Sequence, residues 1–137
     1  CTPIGTGGTM VGLLKGLAGQ QEVWGFSALR GSWINENIKV LLTQEKIKVT
    51  NFKTFSENNF GGYGKFDFEL INFMKWFYNE KKIALDPIYT AKMCFRLWEM
   101  LKNEQIAKGS IIVLLHTGGL QGVKGFNQKY NTALPYD

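Results

Sequence analysis

Cysteine and histidine are scarce in these 137 residues: Cys1, Cys94 and His116 are all there is. Two cysteines make no disulfide framework, so a reduced, cytoplasmic protein is the expectation. One histidine and two distant cysteines give no zinc-ligand spacing. Long apolar runs are missing too. The most continuous, Ile111 to Leu115, is far too short to span a bilayer, which argues against a membrane protein. The net charge of +5 invites a nucleic-acid reading. The basic residues are scattered, however, and the densest run, Lys46 to Lys53, alternates with apolar residues like a solvated strand. With neither a basic patch nor a recognition motif, nucleic-acid binding is not expected. No internal repeat is visible, and no initiator methionine precedes Cys1. The chain opens almost directly onto a glycine loop of the kind that follows a buried strand. Cys1 is therefore expected to be an internal position of a longer protein.

What is present is a globular composition, 45% hydrophobic and 20% charged, able to bury a core. Cys1 to Ile4 read as the end of a strand. Met10, Leu13, Leu14 and Leu17 recur at helical spacing, predicting a helix from about Gly8 to near Gly19. Glu22 to Leu29 reads as a strand, Gly31 as a turn, and Ile34, Ile38, Leu41 and Leu42 as a second helix. Alternation of Ile47, Val49 and Phe52 hints at another strand. Asn58-Asn59 and Gly61-Gly62 mark a loop. Phe66, Leu70, Phe73, Met74, Phe77 and Tyr78 form a helical stripe with Asp67 as its N-cap. Asp86-Pro87 breaks the chain, and Met93, Cys94, Leu97, Trp98 and Leu101 mark one face of a further helix. After a turn at Lys108-Gly109, Ile111 to Leu115 reads as a strand buried on both faces. Strands alternating with helices place the chain in the α/β class, with a mainly parallel sheet and flanking helices.

Both glycine loops follow predicted strands, where open α/β sheets bind ligands. In Gly5-Thr6-Gly7-Gly8-Thr9, glycines let bare N–H groups approach an anion, and the helix that follows adds unpaired N–H groups and a positive dipole end. Thr6 and Thr9 add hydroxyl donors. The loop lacks Gly-Lys-Ser/Thr, which excludes a nucleotide P-loop. A glycine turn that serves packing alone remains the alternative. Tyr63, in a second glycine-rich loop, and Tyr89, at a helix start, are acid/base or hydrogen-bonding candidates. Each taken singly also reads as a packing residue. Thr117 stands just past the last predicted strand, where a side chain faces the ligand crevice, whereas His116 before it reads as structural. Lys92, one helical turn after Tyr89, reads as a surface or ion-paired lysine.

Five segments carry a more specific signal: GTGGTMVGLLKGL, GFSALRG, FGGYGKFDFELINFMKWF, LDPIYTAK and HTGGLQGVKGFNQ, running from residue 4 to about 128. Their order and spacing resemble the D-cysteine desulfhydrase / 1-aminocyclopropane-1-carboxylate deaminase family of pyridoxal 5′-phosphate enzymes, which share the tryptophan-synthase-beta fold (fold type II). The resemblance implies that residues 1–137 are a single partial domain, the C-terminal part of such an enzyme. It implies that Gly5, Thr6, Gly7, Gly8 and Thr9 cradle the cofactor phosphate, and that Tyr63 and Tyr89 are the active-site tyrosine pair. It also places Thr90 and Thr117 at the cofactor. Deaminases of the family carry Glu directly after the second tyrosine and Leu after the histidine of the last loop. The two threonines here fit the desulfhydrase branch instead. A carboxylate beside the pyridine nitrogen favours its protonated form and makes the ring a stronger electron sink. Thiol elimination needs less of a sink than cyclopropane opening. The resemblance thus implies a lyase that converts D-cysteine to pyruvate, ammonia and hydrogen sulfide. Deamination of 1-aminocyclopropane-1-carboxylate to 2-oxobutyrate is the alternative, and a non-catalytic half-protein that binds the cofactor reversibly is the second. The family's Schiff-base lysine belongs to an N-terminal segment that nothing in these residues resembles, so this chain alone is expected to be inactive. A small amino-acid substrate and a homodimer complete the expectation. Ala91 departs from the family, which has Gly there.

Overall fold

Short strands can pair in parallel only if helices carry the chain back between them, and the first 57 residues do this twice. The computed structural model describes residues 1–57 and 59–136; Asn58, part of the predicted loop, lies outside the described residues. Strand β1 (Thr2–Ile4), helix α1 (Gly8–Leu17), strand β2 (Val23–Ser27), helix α2 (Trp33–Gln44) and strand β3 (Phe52–Phe55) follow in order. The sheet order is β1-β2-β3, and both pairs are parallel, with Thr2 opposite Gly25 and Val23 opposite Phe52. Helices α3 (Phe68–Lys81), α4 (Thr90–Lys102) and α5 (Val123–Tyr130) complete the chain, α5 being entered through a 3-10 turn over Leu120–Gly122.

The sheet separates two cores, as the two-residue period of a strand requires. On one face Ile4 and Val23 meet Met10, Val11 and Leu14 of α1 and Ile34, Ile38 and Leu42 of α2. On the other, Phe26 packs with Leu70 and Met74 of α3 and Met93, Phe95 and Leu97 of α4, while Trp24 and Phe55 lie against the same cluster. Gly25 lets α1 approach β2 closely. A Cβ at that position would fall 2.2 Å from Ile4 and 2.5 Å from Met10.

Several expected elements hold. Asp67 caps α3, its side chain accepting from the Leu70 N–H at 3.0 Å. Phe66 sits just before that cap rather than inside the helix, and packs on Phe126 and Tyr130. The α4 stripe is buried at Met93, Cys94 and Leu97 but surfaces at Trp98 and Leu101.

Two expected strands do not form as read. Residues 47–51 are irregular, and the third strand is Phe52–Phe55; Ile47 and Val49 place their apolar side chains on the α1/α2 core instead of in a pleat. The run 111–115 is neither an assigned strand nor buried on both faces. Ile111 is 96% exposed, Val113 65% and Leu114 41%. Its link to the sheet is one rung: the Cys1 amino group donates to the Val113 carbonyl at 2.8 Å, and the Leu115 N–H to the Cys1 carbonyl at 3.0 Å. A continuous apolar run is the pattern of a covered strand, but among the described residues no second layer lies over it.

Candidate functional site

At the end of β1 the chain turns through the first glycine loop into α1. Gly7 is the N-cap, with φ 104°, a left-handed conformation that strains any residue with a Cβ. A Cβ there would also collide with Ile38, at 2.5 Å. The first intrahelical bond runs from the Val11 N–H to the Gly7 carbonyl at 3.0 Å, so the N–H groups of Gly8, Thr9 and Met10 lack partners within the helix. Asn37 of α2 fixes the loop from behind, its amide donating to the Thr6 carbonyl at 2.7 Å. Sequence reading missed Asn37, because its bond spans 31 positions and two elements.

These groups open on a cleft of about 600 Å³ whose wall includes Gly5, Thr6, Gly7, Gly8, Thr9 and Leu29. Tyr63, Tyr89, Thr117, Gly118 and Gly119 line the same cleft. Eight of the nine sequence-predicted site residues therefore meet at one cavity. Among the described residues no charged side chain lines it, so their pull on an anion comes from backbone N–H dipoles, threonine hydroxyls and the positive end of α1. That donor set suits a phosphate.

The ninth residue, Thr90, is elsewhere. It is fully buried at the first turn of α4, where its hydroxyl donates to Asp86 Oδ2 at 2.7 Å and accepts the Asp86 N–H at 2.9 Å. Both capacities of that hydroxyl are thus taken up inside the protein. Asp86, read from sequence only as half of a chain break, gathers the N–H groups of the turn that leads into α4, whose N-cap is Tyr89. Its Oδ1 accepts from the N–H groups of Ile88 and Tyr89, each at 2.9 Å, and its Oδ2 from that of Thr90 at 2.8 Å. An aspartate followed four positions later by a threonine was the available signal. Ala91 is fully buried in the core beneath α4, so its methyl points away from the cleft.

The tyrosines stand edge to face, with ring centroids 6.0 Å apart. Tyr63 is exposed and Tyr89 half-buried. A Cβ on Gly5 would lie 3.3 Å from the Tyr89 ring, so the glycine makes room for it. Burial raises the Tyr89 phenol above its ordinary value, with Tyr63 and then Asp86 pushing the same way. Tyr89 thus keeps its proton at neutral pH. Thr117 is held by the turn around His116, whose Nε2 bonds the Ala84 carbonyl at 2.8 Å while Nδ1 accepts the Gly118 N–H at 3.2 Å. A carbonyl only accepts, so the geometry requires the proton on Nε2. His116 is structural, as its sequence context indicates.

Lys92 differs from its expected place. It is only 3% exposed, and Nζ donates to the carbonyls of Asn59, at 2.9 Å, and Gly62. It is absent from the cleft wall.

No family model matches the chain. It is similar to three curated archaeal proteins provisionally named 1-aminocyclopropane-1-carboxylate deaminases. The Pyrococcus abyssi protein is 29% identical over 136 residues, 92% of this chain, and the Pyrococcus horikoshii protein 29% over 133 residues, 91% of this chain. The Pyrococcus furiosus protein is 31% identical over 136 residues, 91% of this chain. The chain spans 40% of the length of each of these relatives. Among solved structures, the crystal structure of an ACC deaminase homologue superposes with a TM-score of 0.76 at 25% identity, covering 93% of this chain and 41% of the other. The parallel sheet with flanking helices is therefore an architecture this chain shares with part of that homologue.

Proposed function

We propose that the cleft holds the phosphate of pyridoxal 5′-phosphate, and that the chain is the phosphate-holding, C-terminal part of an enzyme acting on a small amino acid. The observation that carries this reading is the meeting of the α1 N-terminus, two tyrosines and Thr117 at a single cavity without a charged side chain. Donation from Gly8, Thr9 and Met10 N–H groups and from the Thr6 and Thr9 hydroxyls satisfies an anion there. When bound, the cofactor supplies an electron sink for the substrate's α-carbon. Tyr89, protonated at neutral pH, is placed to hold a proton at its phenol oxygen, and Tyr63 to orient it. Among the described residues no lysine lines the cleft, and we assign the cofactor lysine to another segment of the intact enzyme.

Between the two reactions, the relatives' names support 1-aminocyclopropane-1-carboxylate deamination. D-cysteine desulfhydration is the second reading, favoured by a neutral Thr117 on the cleft wall. Thr90 supports neither, because Asp86 occupies its hydroxyl. The experiment is to assay the intact parent protein for 2-oxobutyrate from 1-aminocyclopropane-1-carboxylate against pyruvate from D-cysteine. If pyridoxal 5′-phosphate binds but borohydride traps no imine in the parent, the non-catalytic alternative replaces both. In the same assay Tyr89→Phe keeps the cofactor and loses roughly tenfold or more in turnover, as loss of an acid/base group does. Unchanged turnover removes Tyr89 from the site.

A further inference from the structure

Lysine is among the residues least often fully buried, because its ammonium gives up water. Lys92, in the first turn of α4, is nevertheless buried, and its acceptors are carbonyl oxygens rather than a carboxylate. Both oxygens belong to the loop that carries Tyr63, and each already closes a turn of that loop. Asn59 O accepts the Gly62 N–H at 3.1 Å, and Gly62 O accepts the Lys65 N–H at 3.1 Å. On its far side the loop is fixed by Asn59, whose amide donates to the Leu29 carbonyl at 2.6 Å and to Ser56 O at 3.1 Å. Lys92 itself sits on α4, less than one turn from Tyr89.

We infer that Lys92 is a positioning residue whose ammonium ties the Tyr63 loop to the helix that starts at Tyr89, fixing the spacing of the two phenols over the cleft. The tether explains why a charge is buried where an apolar side chain would pack without a desolvation penalty. A methionine would fill the space but leave two inward-facing carbonyls with one partner fewer. Among the described residues, the charged and titratable groups near the tether are Asp86 in the turn before α4, Lys65 on the loop itself and the two phenols, while the Arg30 backbone lies against Gly62. Burial lowers the Lys92 ammonium to about 8, with Asp86 pulling weakly the other way. Opening the loop returns that ammonium to its ordinary, higher value, so the open form binds more protons and opening becomes harder as pH rises above about 8.

The inference rests on the proposed function only for the use the phenols serve, and two separate readouts keep the ideas apart. Hydrogen exchange is followed in the full-length protein, with Lys92→Met beside the wild type. The amides of Gly62 and Lys65 are expected to exchange about tenfold faster or more in the variant, while those of α1 and α3 keep their protection. Equal exchange at Gly62 and Lys65 in a variant with α1 and α3 protected overturns the tether. Should Lys92→Met not fold, the wild type decides. Protection of the two amides, corrected for intrinsic rates, rises as pH goes from about 7 to about 9.5, because breaking the tether lets Lys92 take up a proton, and flat protection overturns the tether. Titration with pyridoxal 5′-phosphate is the second readout. The variant is expected to keep its affinity within about threefold, because the Gly5–Thr9 loop is untouched, while its turnover falls without a matching rise in KM. A wild type that binds no pyridoxal 5′-phosphate ends the proposed function, and the exchange rates still decide the tether.

Discussion

Two glycine loops of similar composition line one cleft, and they are held by different means. The first, Gly5–Thr9, joins a paired strand to a helix packed on both β1 and β2, with Met10 and Ile38 fully buried behind it. The second, His116–Gly119, follows a run with no regular element and hangs on individual side chains: the His116 ring bridges Ala84 and Gly118, and Gly119 lies against Asp86. The first loop draws its rigidity from a core shared by many residues. The second depends on two polar groups, either of which can be removed singly. A site of this kind has one wall set by packing and one set by hydrogen bonds.

The largest effect should come from the packed wall. Met10→Ala removes a fully buried side chain between α1 and the sheet, and is expected to cost about 2–5 kcal/mol in urea unfolding. A cost below about 1 kcal/mol would mean that the first loop does not rest on this core. Next comes the polar wall. Asp86→Ala strips a buried acceptor from the N–H groups of Ile88, Tyr89 and Thr90, and should cost about 1–3 kcal/mol. It should also free the Gly118 and Gly119 amides to exchange faster while Gly8 and Thr9 keep their rates. Equal change in both loops would erase the distinction between them. A smaller effect, about 1 kcal/mol, is expected for His116→Leu, which removes two bonds at an exposed position.

Lys92 contributes a pH dependence with a definite sign. Its ammonium is lowered to about 8 in the folded chain. The unfolded chain keeps the ordinary, higher value and so binds more protons between the two. Where the unfolded state binds more protons, stability rises with pH. From this group alone, unfolding free energy should therefore increase across that alkaline window, and protection of the Tyr63 loop should rise with it. Lys92→Met should abolish both slopes. The thiols offer a parallel check on burial. Cys94 is pushed up to about 12 by burial, with Asp86 adding to it, whereas Cys1 is only half-buried. A disulfide reagent at mildly alkaline pH should therefore modify Cys1 and spare Cys94, since the thiolate is the reactive form.

The packed wall was largely legible in the amino-acid sequence, and the polar wall was not. Helical spacing locates α1, α2, α3 and α4 because a buried stripe leaves a mark every three or four residues. The glycine loop after β1 and the Asp67 cap are local signals, complete within five residues. What escaped depends on partners distant in sequence. Asn37 reaches Thr6, Lys92 reaches Asn59 and Gly62, and His116 reaches Ala84 over 31, 33, 30 and 32 positions respectively. No periodicity encodes such bonds. Thr90 misled for a related reason. Its place beside Tyr89 was right, but whether its hydroxyl faces a ligand or Asp86 is decided by the helix cap.

The run 111–115 is the other misreading, and it gives the comparison its smallest and most discriminating test. An unbroken apolar run is read as a strand buried on both faces, since that is the arrangement in which every apolar side chain leaves water. Here Ile111 and Val113 are exposed, so converting them to Ser and Thr removes little that is buried. The expected cost in this chain is within about 0.5 kcal/mol each, the range of ordinary surface changes. The same substitutions should lower the tendency of the chain to associate, because exposed apolar runs beside an open sheet edge pair with other strands. A loss above about 1 kcal/mol would show that these side chains are covered after all. It would also mean that the loop from His116 to Gly119 inherits rigidity from a packed strand, as the first loop does, and the contrast between the two walls would disappear.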